Sequence, residues 1–298
     1  MKVLVTGGSG FIGAWIIRRL LARGWAVRVF DINPDRRIVR EIIGDAADAL
    51  DWVVGDISRP DDVVAAAMGC NLTIHLAGLL TPACRKSPKR GAEVNLIGTL
   101  NVFEAARAHH HLNVVYASSA GVYGPNDGHT PRPDTHYGAF KLATEGCARA
   151  FWFDEGVSSV GFRPFVVYGP GRESGISAGP SLACAAAARG EAYTIGFTGP
   201  SDLLFVDDVA AAFECAAVRQ PKGAHVFNLF GEVADVQQVI AEIHRHVPDA
   251  KLDCTGPPLP IAATLAPDDL NHVLPGIPRT LLAMGVARTL QHYRALPH

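Results

Sequence analysis

Tyr137 and Lys141 stand four residues apart where a helix-like segment begins, and that spacing puts both side chains on one helical face. A free tyrosine, with a pKa of about 10, is a poor base at neutral pH. A nearby ammonium favours the phenolate and brings proton exchange with a hydroxyl within range. The pattern is common by chance, so its meaning rests on what surrounds it. Upstream, the strand-like run 114–118 ends in Ser118 and Ser119. A hydroxyl at the carboxyl end of a parallel strand can bond a substrate oxygen that changes charge; a serine pair there is otherwise an ordinary turn.

A second chemistry-bearing feature opens the chain. Thr6-Gly7-Gly8-Ser9-Gly10-Phe11-Ile12-Gly13 follows the first strand-like run and leads into a helix-like one. It reads as G-x-x-G-x-x-G through Gly7, Gly10 and Gly13, or as G-x-G-x-x-G through Gly8, Gly10 and Gly13. In either reading the missing side chains permit a tight turn and let the backbone approach a pyrophosphate at a helix N-terminus. The second strand-like run ends at Asp31, 18 residues past Gly13. A carboxylate there accepts ribose hydroxyls and repels a 2′-phosphate, which favours NAD over NADP. Arg36 and Arg37 are the residues that could hold the extra phosphate, and an acidic strand end can also be a cap or a solvated turn.

The elements that must position these groups alternate. Short runs rich in Val and Ile at 3–6, 26–30, 72–77, 114–118 and 160–163 are separated by amphipathic segments at 11–23, 61–68, 91–108 and 137–153. Such alternation predicts right-handed crossovers and an α/β, Rossmann-type doubly wound parallel sheet. After Arg163 the pattern loosens into a Pro/Gly-rich stretch, 164–180, and a helix is expected over 181–189. A strand is expected at 224–229, a helix through about His246, and a last helix over 280–295. We expect a nucleotide-binding domain of residues 1–165 plus about 204–230, and a smaller, discontinuous substrate lobe of 166–203 and 231–298. The length of 298 residues allows roughly two units of about 150 residues each.

Composition excludes several classes. The chain is 48% hydrophobic and 19% charged with a net charge of −2, a globular balance with no basic footprint for nucleic acid or an anionic membrane. No apolar run approaches the ~18 residues of a membrane span, and the first residues carry no charged-then-apolar leader, so a cytoplasmic protein is expected. Arg85 to Arg90, the densest basic segment, reads as a solvated loop. The six cysteines are widely spaced and fit neither a disulfide framework nor a zinc site. His109-His110-His111 reads as a solvated helix end rather than a metal site, and no metal is expected.

The joint order of these motifs resembles the extended short-chain dehydrogenase/reductases, the NAD-dependent epimerase/dehydratase family. The resemblance covers nearly the whole chain. It includes the glycine opening, Gly55-Asp56-Ile57, His75-Leu76-Ala77-Gly78, Asn95 within 94–99, and Ser118-Ser119 ahead of Val122-Tyr123-Gly124. Tyr137 with Lys141, Arg163-Pro164 with Val167-Tyr168-Gly169-Pro170-Gly171, and Val206-Asp207-Asp208-Val209-Ala210 complete it. It implies that Asp56 and Ile57 line the adenine, that Leu76, Ala77 and Gly78 border the ribose and phosphates, and that Pro164 lies near the nicotinamide. It further implies that Ser119 bonds the reacting oxygen, Tyr137 exchanges the proton, and Lys141 grips the nicotinamide ribose. Asn95 is either structural or part of a proton relay; His75, Asp207 and Asp208 read as structural. Thr81, Ser119 and Arg172 are the substrate candidates.

Departures from the family pattern bear on the substrate. Where sugar-nucleotide dehydratases carry Thr-Asp-Glu, this chain has Ser119, Ala120 and Gly121, so dehydration is not expected. The arginine and asparagine common in nucleotide-sugar enzymes are replaced by Ser201 and Val166, which removes a charge-assisted partner for a diphosphate, with Arg172 as the residue that could substitute. The expected function is NAD-dependent oxidation or epimerisation at a secondary alcohol of a sugar, sugar acid or polyol. A nucleotide-sugar 4-epimerase and a non-catalytic NAD-binding sensor are the alternatives. The resemblance implies a homodimer through the helices at 98–108 and 137–153; Phe140, Ala143, Ala148, Phe151 and Trp152 give more apolar surface than one sheet face obviously needs, and core is the alternative reading of the same residues.

Overall fold

The computed structural model describes residues 1–125 and 127–296. The first half runs β1 (Lys2–Thr6), α1 (Phe11–Ala22), β2 (Ala26–Asp31), α2 (Arg37–Ile43), β3 (Asp51–Val54), α3 (Pro60–Ala67) and β4 (Leu72–His75). It continues through α4 (Thr81–Lys86), α5 (Pro88–Ala92), α6 (Gly98–Ala108), β5 (Val114–Ala117), α7 (His136–Glu155) and β6 (Ser159–Arg163). The second half holds β7 (Val166–Tyr168), α8 (Gly179–Arg189), β8 (Tyr193–Ile195), β9 (Pro200–Phe205), α9 (Val206–Arg219) and β10 (Ala224–Asn228). It ends with β11 (Glu232–Asp235), α10 (Val236–His246), β12 (Leu252–Cys254), α11 (Leu270–Val273) and α12 (Leu282–Ala295).

Seven parallel strands form the central sheet in the order β10-β6-β5-β4-β1-β2-β3. Strand side chains alternate between its faces. Val3 and Val5 enter the apolar core shared with α1 and α9, whereas Leu4 enters the core under α3, α6 and α7. The chain order reverses direction between β1 and β4, and that switch opens a crevice at the carboxyl ends of the strands. Strands β11, β9 and β7 make a separate small sheet, and β12 pairs with β8.

Several expectations change. β3 is four residues long, half-buried and at the sheet edge, too short to announce itself. The helix expected over 91–108 is three pieces, α5, a π-turn at Glu93–Ile97, and α6. Arg85 to Arg90 is helical rather than loop, in α4 and the start of α5, with Arg90 ion-paired to Asp56 and Glu93. Ala148 is fully buried and Phe151 stacks on Phe103 at 5.1 Å, so both belong to the core rather than to surplus surface. His111 is also buried, not solvated. Its Nε2 donates to the Ala67 carbonyl at 3.1 Å, which leaves Nδ1 to accept from Thr73 at 2.9 Å. Among the described residues no group of His, Cys, Asp and Glu is arranged to hold a metal, and no helix is long and apolar enough to cross a membrane.

His75, at the end of β4, is fully buried between Thr6 (2.7 Å) and Thr99 (3.0 Å). Thr99 donates its own proton to the Asn95 carbonyl at 2.7 Å, so His75 Nε2 must donate to Thr99 and Nδ1 must accept from Thr6. Burial, reinforced by the Lys141 charge, pushes the His75 pKa down to about 3 from 6.5. The unfolded chain therefore binds a proton below pH 6.5 that the folded chain refuses, and stability falls as pH drops from 6.5 toward 3. This group should contribute a slope of about 1.4 kcal/mol per pH unit in that window. Urea unfolding across pH 4 to 7 should show His75→Asn losing that part of the slope, whatever its overall stability.

Candidate active site

The chain leaves β1 through Gly7 at a positive φ of 68°, and a Cβ there would lie 2.5 Å from the backbone nitrogen of Ala77. Two backbones thus meet across the switch point, and the loop delivers α1 with its N-terminus facing the crevice. Gly10 is the N-cap residue and supplies no side-chain cap, so the first N–H groups of α1 are available to an anion. A Cβ on Gly10 would meet only the Gly7 carbonyl, at 3.4 Å, and would otherwise project into open space. That is the cradle a pyrophosphate fills.

The crevice is a cavity of about 570 Å³. Gly7, Gly10, Phe11, Ile12, Gly13, Asp31, Asp56, Ile57, Leu76, Ala77 and Gly78 all line it. So do Thr81, Ser119, Tyr137, Lys141, Pro164 and Arg172. Asn95 does not line it. Its amide bonds both backbone groups of Leu79, at 2.8 and 3.0 Å, and the Cys84 sulfur, so it braces the wall from behind.

At one end, Asp31 accepts from Ser9 N and Oγ at 3.1 and 2.6 Å and from Asn33 N at 3.0 Å. A carboxylate offers about four acceptor sites, so capacity remains for a ribose hydroxyl. Of the two arginines that could have held a 2′-phosphate, Arg36 lies over the Trp52 ring and Arg37 is ion-paired to Glu173. Asp56 is bonded by Ser58 and by Arg90, the latter at 2.7 Å.

At the other end, Thr135 caps α7 by accepting from Gly138 N at 3.0 Å. Gly138 packs so close that a Cβ would sit 2.3 Å from the Gly121 carbonyl, which seats the start of α7 on the loop after β5. Tyr137 is thereby held beside Ser119, whose hydroxyl pulls the tyrosine pKa down. Ser119 Oγ accepts from Gly121 N at 3.0 Å, which leaves its own proton free to donate. Lys141 is buried one turn on, with Nζ donating to the Ala117 carbonyl at 2.6 Å and lying 5.8 Å from the Tyr137 ring centre. Burial pushes Lys141 down to about 8. The tyrosine departs from expectation. Burial raises its pKa above the ordinary value, and the opposing pulls come from the Ser119 hydrogen bond and the charge of Arg172.

Behind this group lies a buried ion pair. Arg163 donates to both Glu145 oxygens, at 2.8 and 2.6 Å, and Glu145 also accepts from Ser118 at 2.5 Å. Arg163 reaches on to Tyr123, and Tyr123 to Asn228. One network therefore ties together the neighbours of Ser119 and Pro164. Asp207 and Asp208 lie away from the cavity, on Arg19 and Thr280.

Sequence reasoning missed part of the wall. Leu259 and Ile261 line the cavity from a proline-rich strap that is pinned by Ala262 N on the Gly124 carbonyl at 2.9 Å. Ile176 and Ser177 line it from the loop after β7. Neither segment has the periodicity that marks an element. Arg90 was detectable only as one member of a basic run.

Fold and site together define a dinucleotide-binding α/β enzyme. Residues 3–229 match the model of the NAD dependent epimerase/dehydratase family, and the chain belongs to that family. It is 35% identical over 133 residues to a bifunctional UDP-glucose 4-epimerase and UDP-xylose 4-epimerase of Pisum sativum, covering 41% of this chain; it spans about two fifths (38%) of that relative's length. It is 30% identical over 316 residues to the UDP-glucose 4-epimerase of Mycolicibacterium smegmatis, a match that covers 99% of both chains. The UDP-glucose 4-epimerase of Thermus thermophilus, solved with NAD, superposes with a TM-score of 0.84 at 26% identity over 99% of each chain.

The cofactor is NAD, and the lining fits it: the Gly10 cradle would take the pyrophosphate, Asp31 a ribose and Lys141 the other. Gly10 has ordinary backbone angles, φ −84° and ψ 176°, so Gly10→Ala should leave the melting temperature of the NAD-free protein unchanged. The same methyl group occupies the anion's place, and NAD affinity measured by titration should fall by more than about tenfold.

Proposed function

We propose that this chain is an NAD-dependent oxidoreductase or epimerase acting on a secondary alcohol of a sugar, sugar acid or polyol. The observation that carries the reading is the convergence of Ser119, Tyr137 and Lys141 on the cavity that also holds the glycine loop. NAD, when bound, supplies the acceptor and donor of the hydride. Ser119 donates to the reacting oxygen, and Tyr137 takes the hydroxyl proton and returns it. Lys141 holds the nicotinamide ribose with its ammonium beside the tyrosine ring. The NAD site belongs to residues 1–165 with about 204–230, and the substrate lobe to 166–203 and 231–298.

Nucleotide-sugar 4-epimerisation is the second reading, favoured by the full-length likeness to the mycobacterial relative. Against it, Ser201 is 1% exposed in β9 and its hydroxyl has no partner among the described residues, so no cation reaches a diphosphate from there. A sensor without turnover has no use for three converging acid/base groups.

We further propose a homodimer, in the cytoplasm, through the outer face of α7. Ala139, Ala143, Gly146 and Ala150 leave that face open, and Phe153 beside them is 71% exposed, with Ile97 at 45%. Light scattering at micromolar protein should give twice the chain mass; a monomer would remove this proposal.

Tyr137→Phe should abolish turnover while NAD affinity stays within about threefold, because the hydroxyl is lost and the ring that packs is kept. Undiminished turnover would sink the mechanism. NAD released on denaturing freshly purified protein separates the two chemistries: near-stoichiometric release fits an epimerase, and an empty protein that binds added NAD fits a dehydrogenase.

A further inference from the structure

Three cations line the cavity, and they differ in what they face. Arg90 is paired with Asp56 and Glu93, and Lys141 donates to a backbone carbonyl beside the tyrosine. Arg172 is held by neutral acceptors. Nη1 donates to the Val167 carbonyl, Nη2 donates to Ser177 Oγ at 2.9 Å, and the guanidinium lies over the Phe11 ring at 5.8 Å. Among the described residues no carboxylate forms an ion pair with it.

The acids nearby are already engaged. Its neighbour Glu173 turns away to Arg37, at 2.7 Å, while Asp31 is bonded by Ser9 and Asp56 by Arg90. An arginine sunk in a cavity wall without a counter-charge is costly, and burial lowers the Arg172 pKa to about 10. The guanidinium is planar with five N–H donors, of which two are committed, so the remainder present a fork suited to a carboxylate. It lines the same cavity as Ser119 and Tyr137, and its charge lowers the Tyr137 pKa.

We infer that Arg172 seats a carboxylate of the substrate, so that the reacting alcohol belongs to a sugar acid rather than to a neutral sugar or polyol. The inference rests on the proposed role of Ser119 and Tyr137 in marking the reacting carbon. The cofactor pyrophosphate is the other anion that could reach this arginine. It has its own donors at the start of α1, and Arg172 is anchored instead to Val167 and Ser177, on the loop that carries Ile176.

The test is equilibrium titration of the NAD-loaded full chain with D-glucuronate against D-glucose and with D-gluconate against D-glucitol. NAD itself is titrated in parallel, in the wild type and in Arg172→Gln. The acids should bind at least about tenfold more tightly than their neutral counterparts. In Arg172→Gln that advantage should vanish while NAD affinity stays within about twofold. Should Arg172→Gln fail to fold, Arg172→Lys keeps the charge without the fork and should reduce the advantage by about threefold or more. No acid advantage in the wild type, or one that survives both substitutions, overturns the inference. A tenfold loss of NAD affinity overturns it too, by assigning the cation to the pyrophosphate. The oxidoreductase reading is judged separately by Tyr137→Phe turnover: inert chemistry with intact acid selectivity would sink that reading and leave the carboxylate seat standing.

Discussion

Gly7 lies against Ala77 with no room for a methyl group between the two backbones, and the geometry of the site follows from that contact. It occurs where β1 and β4 are neighbours and their crossovers depart to opposite faces of the sheet. Only there do the loops diverge enough to leave a crevice at the strand ends. The loop after β4 is then fixed from behind by a hydrogen-bonded chain from Thr6 through His75 and Thr99 to Asn95, whose amide holds Leu79. Because that chain is buried, it works only with His75 neutral, and the burial that depresses its pKa secures that state.

The opposite wall depends on a buried charge pair. Glu145 and Arg163 sit on α7 and β6, and their side chains are 7% and 14% exposed. Desolvating such a pair can cost as much as its attraction returns, so its contribution is better seen as positional than as stabilising. It binds Ser118 beside Ser119, and Arg163 precedes Pro164, so both loops that border the reacting centre hang from one bidentate contact. The same low dielectric acts on Tyr137 and Lys141 in opposite senses, raising the first and lowering the second. The order of their proton affinities is thereby reversed, the lysine falling to about 8 while the tyrosine rises above its ordinary value, so the two stand further apart than they do in water.

The parallel sheet and the glycine loop were legible because each rests on a short-range rule: period-two apolar runs between amphipathic segments, and glycines spaced for a tight turn into a helix. Asp31, Tyr137 and Lys141 were legible for the same reason, since their places depend on the ends of elements. What was hidden lacks such a rule. β3 is stabilised by its edge pairing with β2, not by its own four residues. The π-turn at Glu93–Ile97 exists because Asn95 must turn inward to Leu79 and Cys84, a tertiary demand invisible in a run that otherwise reads as one helix. The raised pKa of Tyr137 was hidden too, because spacing reports the nearby ammonium and says nothing of desolvation.

The substrate side follows from this division. The cofactor side is lined by backbone and by strand-end residues, and the family match, residues 3–229, takes in these together with the segment that carries Arg172. The rest of the lining comes from segments without periodicity: Arg172 to Ser177 after β7, and Leu259 with Ile261 on the proline-rich strap. The strap presents apolar groups and is held by backbone bonds to Gly124 and Gly128, so it offers shape and exclusion of water but no charge. β9 presents Ser201 without a partner, so it offers no charge to a phosphate. Across these surfaces Arg172 is the lining cation that neither a carboxylate of the chain nor the cofactor's ribose engages, among the described residues. On the proposed reading, a wall that is apolar on one side and carries on the other a guanidinium with no carboxylate partner among the described residues selects by one anionic group and by size.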